Sequence, residues 1–117
     1  GVNHVRIDGS MSKAKRQNSL VMFQNDPNVR VFLISLKAGG EGINLTSATH
    51  VILFDPWWTA AAEDQAVDRV HRLGQTRAVT VIRYITHNTI EQRVLRLQIS
   101  KRRTMKGILG EMGRAKQ

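Results

Sequence analysis

The sequence contains no cysteine, which excludes disulfide bonds and thiolate metal sites and fits a reducing compartment. It has no apolar run of about 18 residues, so we predict no membrane-spanning helix and no membrane partner. It shows no secretory signal, and it begins with Gly1 instead of Met. We therefore interpret the sequence as a piece of a longer protein.

Acidic residues are scarce: 9 Asp and Glu stand against 18 Lys and Arg, giving a net charge of +9 and a pI of about 11.1. This excess favours a polyanionic partner, most simply a nucleic acid. The alternative is a basic, solvated surface that binds no nucleic acid. The 117 residues, 41% of them hydrophobic, suffice for one small domain or part of a larger one.

Hydrophobic periodicity predicts strands that alternate with helices, and therefore an α/β fold with a mainly parallel sheet. The predicted strands are 4–7, 29–35, 51–54 and 79–85, and the predicted helices are 12–24, 60–73 and one beginning at Asn88-Thr89. The strands at 29–35 and 51–54 are mostly apolar, which is typical of strands buried on both faces. In such sheets ligands bind beyond the carboxyl ends of the strands, so the loops after Ser35 and Phe54 are candidate sites.

Residues 101–117 are rich in Lys and Arg, and we expect them to form a basic C-terminal tail following a domain at 1–100. The tail is either a basic helix or a disordered end.

The most informative segment is Glu63–Ala78. On a helix, Gln65, Arg69 and Arg72 are spaced at i, i+4 and i+7 and share one face, while Ala66, Val70 and Leu73 form an apolar stripe. Two guanidinium groups on one face suit a phosphate that gathers negative charge in a transition state. The alternative is a helix whose surface arginines pair with Glu63, Asp64 and Asp68.

Two loops carry further signals. Gly39-Gly40-Glu41-Gly42 follows a predicted strand, and glycines allow backbone N–H groups to approach a phosphate, although a flexible turn would need them equally. The spacing is neither a dinucleotide-binding fingerprint nor a Walker A loop. Trp57 and Trp58 follow another strand, and one ring could contact a nucleotide or sugar unless both pack in the core.

The sequence offers no metal site, because its four histidines lack ligand spacing and cysteine is absent. Its serines lack the surroundings of an activated nucleophile.

Taken in order, these motifs resemble the C-terminal helicase lobe of the Swi/Snf-type DNA-dependent ATPases. The resemblance covers about Val5 to Arg96, and the sequence His71-Arg72-Leu73-Gly74-Gln75 is its most specific part. The double tryptophan is similar to the DNA-repair branch that often carries a RING insertion. The other matching stretches are Asp8-Gly9-Ser10 with Arg16 and Phe23, residues 35–46, Phe54–Trp58 and residues 64–75.

The resemblance implies a three-layer RecA-like lobe that binds ATP in a cleft shared with a second, N-terminal RecA-like lobe. By match, Arg69 and Arg72 occupy arginine-finger positions. The nucleotide-linked positions are Gly42, Asn44, Gln65 and Gln75, the last two as supports of the finger helix. The positions on the DNA-facing side are Ser10, Lys37, Thr46 and Trp58.

The resemblance also implies ATP and Mg²⁺ as cofactors, held mainly by the N-terminal lobe, double-stranded DNA or nucleosomes as partners, and a nuclear location. The first strand and helix of such a lobe would precede Gly1, so we expect an N-terminally incomplete lobe that is inactive alone and marginally stable. Thr59-Ala60 replaces the Asn-Pro usual in the family, which weakens the expectation of a DNA contact there.

Two alternatives to an ATP-driven DNA translocase stay open at this point. The chain could act only as a basic nucleic-acid-binding module without ATPase activity, or it could belong to a remodeller of RNA or protein–DNA complexes.

Overall fold

A computed structural model describes residues 1–38 and 42–114, and the predicted glycines Gly39 and Gly40 lie outside them together with Glu41. Strands and helices alternate, which confirms the predicted α/β class. The elements are β1 (His4–Ile7), α1 (Lys13–Asn25), β2 (Val31–Ile34), β3 (His50–Leu53), α2 (Ala60–Val67), β4 (Thr80–Arg83) and α3 (Ile90–Arg114). The contacts divide the chain into a first unit, Gly1–Val51 with Asp64–Val81, and a second unit, Ile52–Glu63 with Ile82–Gln117.

The first unit is built on β1, α1 and β2. The two strands are parallel, with His4 opposite Val31 and Ile7 opposite Ile34. A parallel pair needs a crossover connection, and α1 provides it. The helix begins as predicted because the Ser12 hydroxyl accepts a hydrogen bond from the Lys15 N–H.

The core of the first unit surrounds Ile7, whose side chain is 1% exposed. Apolar side chains from α1, β2 and the loop after β2 pack around it; Ala38, Ile43, Leu45 and Val70 are buried, with Leu20, Phe23, Phe32 and Ile34 at the margin. The rings of Phe23 and Phe32 meet edge to face with centroids 5.1 Å apart. This cluster fixes the loop at 42–48 and the segment after α2 to the same core.

β3 and β4 form the second strand pair of the described residues. The Thr80 N–H donates to the Thr49 carbonyl at 2.8 Å, and the Tyr84 N–H donates to the Leu53 carbonyl at 3.0 Å. The offset between donor and acceptor is the same at both ends, so the strands run parallel, as predicted.

The prediction that residues 29–35 and 51–54 are buried on both faces is wrong. Leu33 is 50% exposed, and Ile52 and Phe54 are 54% and 73% exposed. All four residues of β4, the partner of β3, are exposed as well.

The predicted helix 60–73 ends early, at Val67. Turns follow, in which Arg69 and Val70 donate their N–H groups only three residues back, to Ala66 and Val67. The Arg69 carbonyl accepts instead from the distant Leu45 N–H at 2.9 Å, which removes it from any helical ladder. Leu73 was predicted in the apolar stripe of this helix. It is fully exposed because it lies beyond the end of α2.

α3 begins at Ile90, after a turn in which the Thr89 hydroxyl accepts from the Glu91 N–H and the Gln92 side chain from the Asn88 N–H. This arrangement is similar to a capping box, in which each of the two bonds is displaced by one residue. The helix continues to Arg114, so most of the expected basic tail is helical, and it passes residue 100 without a break. Within the described part of the chain, the helices are too short or too polar to cross a membrane.

Candidate functional site

A concavity of about 400 Å³ lies on the first unit, beside the end of α2. Of the described residues, Gly42, Gln65, Asp68, Arg69 and Arg72 line it. Four of these five are predicted site residues. The structure therefore brings the two arginines, Gln65 and Gly42 together, although α2, which was predicted to carry the arginines, ends at Val67.

Among the side chains that the structure describes, none pairs with the guanidinium group of Arg69 or Arg72. Within residues 1–38 and 42–114 neither forms an ion pair or a hydrogen bond, although Asp68 lines the same concavity. The alternative in which these arginines pair with Glu63, Asp64 and Asp68 is therefore wrong. Two guanidinium groups without a partner in the described part of the chain, together with a carboxamide and one carboxylate, have the donor chemistry of a site for a polyphosphate.

Backbone packing fixes the position of this arginine pair. Val70, between them, is 4% exposed and packs in the core of the first unit. Arg69 is half-buried and its carbonyl is bonded to Leu45, whereas Arg72 is exposed. The segment is thus anchored at Val70 and presents both side chains from a fixed backbone. Gly42 has a φ of +35°, a conformation that glycine adopts more easily than other residues.

Gln75 faces the backbone. Its Nε2 donates to the carbonyls of Thr46 at 3.0 Å and Ala48 at 2.9 Å, and lies 3.3 Å from that of Val70. Its Oε1 accepts from the Arg77 N–H at 3.0 Å. With these bonds Gln75 can support the segment that carries Arg69 and Arg72. Its direct contact with a nucleotide stays a prediction.

Arg77, which the sequence analysis did not single out, supports the same loop. Its guanidinium donates to the Ser47 carbonyl and lies 3.5 Å from that of Thr46. No periodicity or motif distinguishes this arginine from the other cations of the chain, so only the fold could identify it.

Asn44 lies on a second concavity of the first unit, of about 300 Å³. The described residues around it include Lys13 and Arg16 of α1 together with Gly42, and the Asn44 Oδ1 accepts from the Thr46 N–H at 3.1 Å. Lys13 was not predicted. The spacing of Lys13 and Arg16, three residues apart on one helix, is the signal that could have identified it.

The predicted DNA-facing residues divide between the units. Ser10 and Lys37 are exposed and Thr46 is half-buried, all in the first unit, while Trp58 is 57% exposed in the second. Ser10 donates its hydroxyl and its N–H to the Asp8 carboxylate, and these two bonds, more than the charges of Arg6 and Arg16, hold the pKa of Asp8 below its ordinary value. The structure gives the exposure of these four residues and the unit to which each belongs. Their contact with DNA stays a prediction.

The burial of Glu63 was not predicted from the sequence. Its carboxylate is completely buried in the second unit, and it contacts Trp57, Arg83 and Gln98 instead of solvent or the arginine segment. Among the described residues, no three His, Asp or Glu side chains cluster as metal ligands.

The chain is similar to a known protein family over most of its length. The model of the helicase conserved C-terminal domain matches residues 1–74. The chain is 49% identical over 116 residues to DNA repair protein rad8 of Schizosaccharomyces pombe, and 51% identical over 106 residues to helicase-like transcription factor CHR28 of Arabidopsis thaliana. These alignments cover 99% and 91% of this chain, but only 10% and 11% of the relatives, so the chain spans about a tenth of their length.

A solved structure agrees. The crystal structure of the C-terminal part of the Fun30 ATPase domain superposes with a TM-score of 0.79 and 40% identity, covering 82% of this chain and 31% of that one. This match confirms a RecA-like C-terminal lobe. The chain therefore belongs to the helicase C-terminal domain family, among the Rad5- and Swi/Snf-type helicases.

Proposed function

We propose that this chain is the arginine-finger half of an ATP-dependent double-stranded-DNA translocase that acts in DNA repair or chromatin remodelling. The observation that carries the proposal is that Arg69 and Arg72 line one concavity with Gln65 and Gly42, and that their guanidinium groups form no ion pair with the residues described. In ATPases of this kind the cleft lies between two lobes, and arginines from one lobe reach the triphosphate held by the other.

The chemistry of this half is electrostatic. Phosphoryl transfer to water spreads negative charge over the oxygens of the γ-phosphate, and guanidinium groups stabilise that charge when they are positioned in advance. Arg69, with its half-buried side chain and bonded backbone, is the more rigid of the two, and Arg72 is the more exposed. Gln65 supplies a neutral donor beside them. ATP and Mg²⁺ would be bound mainly by the N-terminal RecA-like lobe of the whole protein.

The same unit would hold DNA through its phosphates. The net charge of +9 favours a polyanion, and Lys37, Ser10 and the backbone at Thr46 offer donors to phosphate oxygens. Trp58 would add a ring contact. With double-stranded DNA or nucleosomes as partners, the protein would work in the nucleus.

The test is the replacement of each arginine in the full-length protein. We expect Arg72→Ala and Arg69→Ala to leave ATP binding within about threefold of wild type and to lower DNA-stimulated ATP hydrolysis by about 10³-fold or more, as for other arginine fingers. Arg96→Ala, an exposed arginine on α3, is the matched control and should hydrolyse ATP normally. Wild-type stimulated turnover in both finger variants would overturn the proposal.

The alternative function is a basic nucleic-acid-binding module without ATPase activity, favoured by the excess of positive charge alone. Such a module would bind DNA equally with or without ATP, and the affinity would fall steeply with salt. DNA-binding isotherms of the full-length protein at several salt concentrations, with and without a non-hydrolysable ATP analogue, separate the two. A nucleotide-dependent affinity supports the translocase.

A further inference from the structure

The second unit contains a buried polar cluster that the proposed chemistry does not use. Glu63 at the start of α2 is 0% exposed and Gln98 of α3 is 3% exposed. Gln98 Nε2 donates to Glu63 Oε1 at 2.9 Å, and Arg83 Nη2 at the end of β4 lies 2.5 Å from Glu63 Oε2. The cluster thus joins one helix, one strand and the C-terminal helix.

The cluster holds the backbone of one residue, Trp57, through both its N–H and its carbonyl. The Trp57 N–H donates to Glu63 Oε1 at 2.8 Å, and the Trp57 carbonyl accepts from Gln98 Nε2. Both backbone groups of Trp57 are therefore fixed by buried side chains. The next residue, Trp58, projects with 57% of its surface exposed.

Burying a carboxylate contributes little to the stability of a fold, because removing its charge from water is unfavourable. Its desolvation is offset only by a well-placed cation and by hydrogen bonds, and apolar residues of similar volume often replace such a pair without loss of stability. A buried polar cluster can instead specify one conformation, because each partner is satisfied in only one arrangement. Here the conformation so specified is that of the turn carrying the two tryptophans.

We propose that Glu63 and Gln98 are positioning residues that fix the turn Trp57-Trp58, so that the Trp58 ring is presented to double-stranded DNA. This proposal rests on the DNA contact proposed above for Trp58. It makes α3 part of the DNA-binding apparatus through Gln98, independently of any contact between the basic residues of α3 and phosphate.

The experiment uses the full-length protein with Gln98→Met, which keeps the length of the side chain and removes its donors. We expect the DNA concentration that gives half-maximal ATPase stimulation to rise about tenfold, within the range that loss of a ring–nucleotide contact produces, while kcat at saturating DNA stays within about twofold of wild type. Trp58→Ala should give the same rise, and the double variant should give no further rise, because both changes remove one contact. Ser100→Leu, exposed on the same helix, is the control and should behave as wild type.

A spectroscopic readout separates positioning from simple destabilisation. In protein labelled with 5-fluorotryptophan, the ¹⁹F resonance lost in Trp58→Phe identifies Trp58, and Gln98→Met and Glu63→Gln should both shift it while the melting temperature shows a folded protein. A normal half-maximal DNA concentration in Trp58→Ala would overturn the DNA contact, and this inference with it. Additive losses in the double variant, or an unshifted Trp58 resonance, would overturn the positioning role and leave the proposed function standing.

Discussion

Thr46 and Gln75, 29 residues apart in the chain, are joined by a hydrogen bond of 3.0 Å from Gln75 Nε2 to the Thr46 carbonyl oxygen. The same nitrogen reaches the Ala48 carbonyl at 2.9 Å and lies near that of Val70. One side-chain amide therefore connects the loop predicted to face DNA with the segment that carries Arg69 and Arg72. A second connection, from the Leu45 N–H to the Arg69 carbonyl, is parallel to it.

Replacing Gln75 should destabilise the first unit and disturb this connection. Gln75→Met keeps the side-chain length but leaves part-buried carbonyls of Thr46 and Ala48 without their donor, so we expect the free energy of unfolding to fall by about 1–3 kcal/mol. Gln75→Glu should cost more, because a carboxylate would face those carbonyl oxygens. Urea denaturation measures both.

The matched control is Gln17→Met. Gln17 is exposed on α1 and has no hydrogen-bond partner for its side chain in the described part of the chain, so its replacement should change the unfolding free energy by no more than about 0.5 kcal/mol. If Gln75→Met were as mild as Gln17→Met, the amide would not be holding the two segments together.

Gly74 and Gly107 should respond to alanine with opposite signs. Gly74 has a φ of +100°, which side-chain-bearing residues rarely adopt, and no atom lies within 4 Å of an added Cβ. Gly74→Ala should therefore cost about 1–3 kcal/mol through backbone strain alone. Gly107 lies within α3 with equally open space around it, so Gly107→Ala should stabilise the helix by about 0.5–1 kcal/mol.

Thermal denaturation of the two glycine variants checks this pair. Equal changes in melting temperature would show that Gly74 does not need the left-handed conformation. They would also remove the reason for a glycine at the end of the arginine segment.

The starts of three elements could be predicted from the sequence, because capping and turn residues beside them mark where they begin. β1 has the predicted bounds, α1 begins at Lys13, one residue after its predicted start, and α3 begins at Ile90, directly after the predicted Asn88-Thr89. These features depend on residues that are neighbours in the chain, so the sequence contains the whole signal. The grouping of Gln65, Arg69 and Arg72 was predicted too, since their spacing keeps them on one side of a helical or tightly turned backbone.

The features that depend on distant partners could not be predicted. The end of α2 at Val67 follows from a hydrogen bond to Leu45, and the burial of Glu63 follows from Arg83 and Gln98, which no periodicity links to it. In the sequence Glu63 was a possible partner of the surface arginines of its own segment, whereas the structure pairs it with Arg83 of a distant strand. Tertiary contacts overrode the local pattern in both places.

The Asp8 carboxylate gives the protein a small acid sensitivity. The hydroxyl and N–H of Ser10 hold the pKa of Asp8 below its ordinary value of 3.8, because they donate to the charged form. A lowered pKa in the folded state means that the stabilisation is present above the ordinary pKa and is lost as the pH falls through the folded value. Ser10→Ala should raise the pKa of Asp8 towards 3.8.

An NMR titration of the Asp8 carboxyl carbon measures this shift directly. Ser19→Ala, in the middle of α1, is the control and should leave the pKa of Asp8 unchanged. An unchanged Asp8 pKa in Ser10→Ala would show that the nearby charges of Arg6 and Arg16 matter more than the hydroxyl.

Lys37 should contribute to DNA affinity as a charge that contacts phosphate. Each such contact adds about one unit to the slope of log affinity against log salt, so Lys37→Ala should weaken binding of the full-length protein similarly for all DNA sequences and reduce the slope by about one. Lys37→Arg keeps the charge and should restore both values. A lower affinity in Lys37→Ala with an unchanged salt slope would mean that Lys37 supports its loop through protein contacts and does not bind phosphate. The DNA-facing assignment of the first unit would then depend on Ser10 and Thr46 alone.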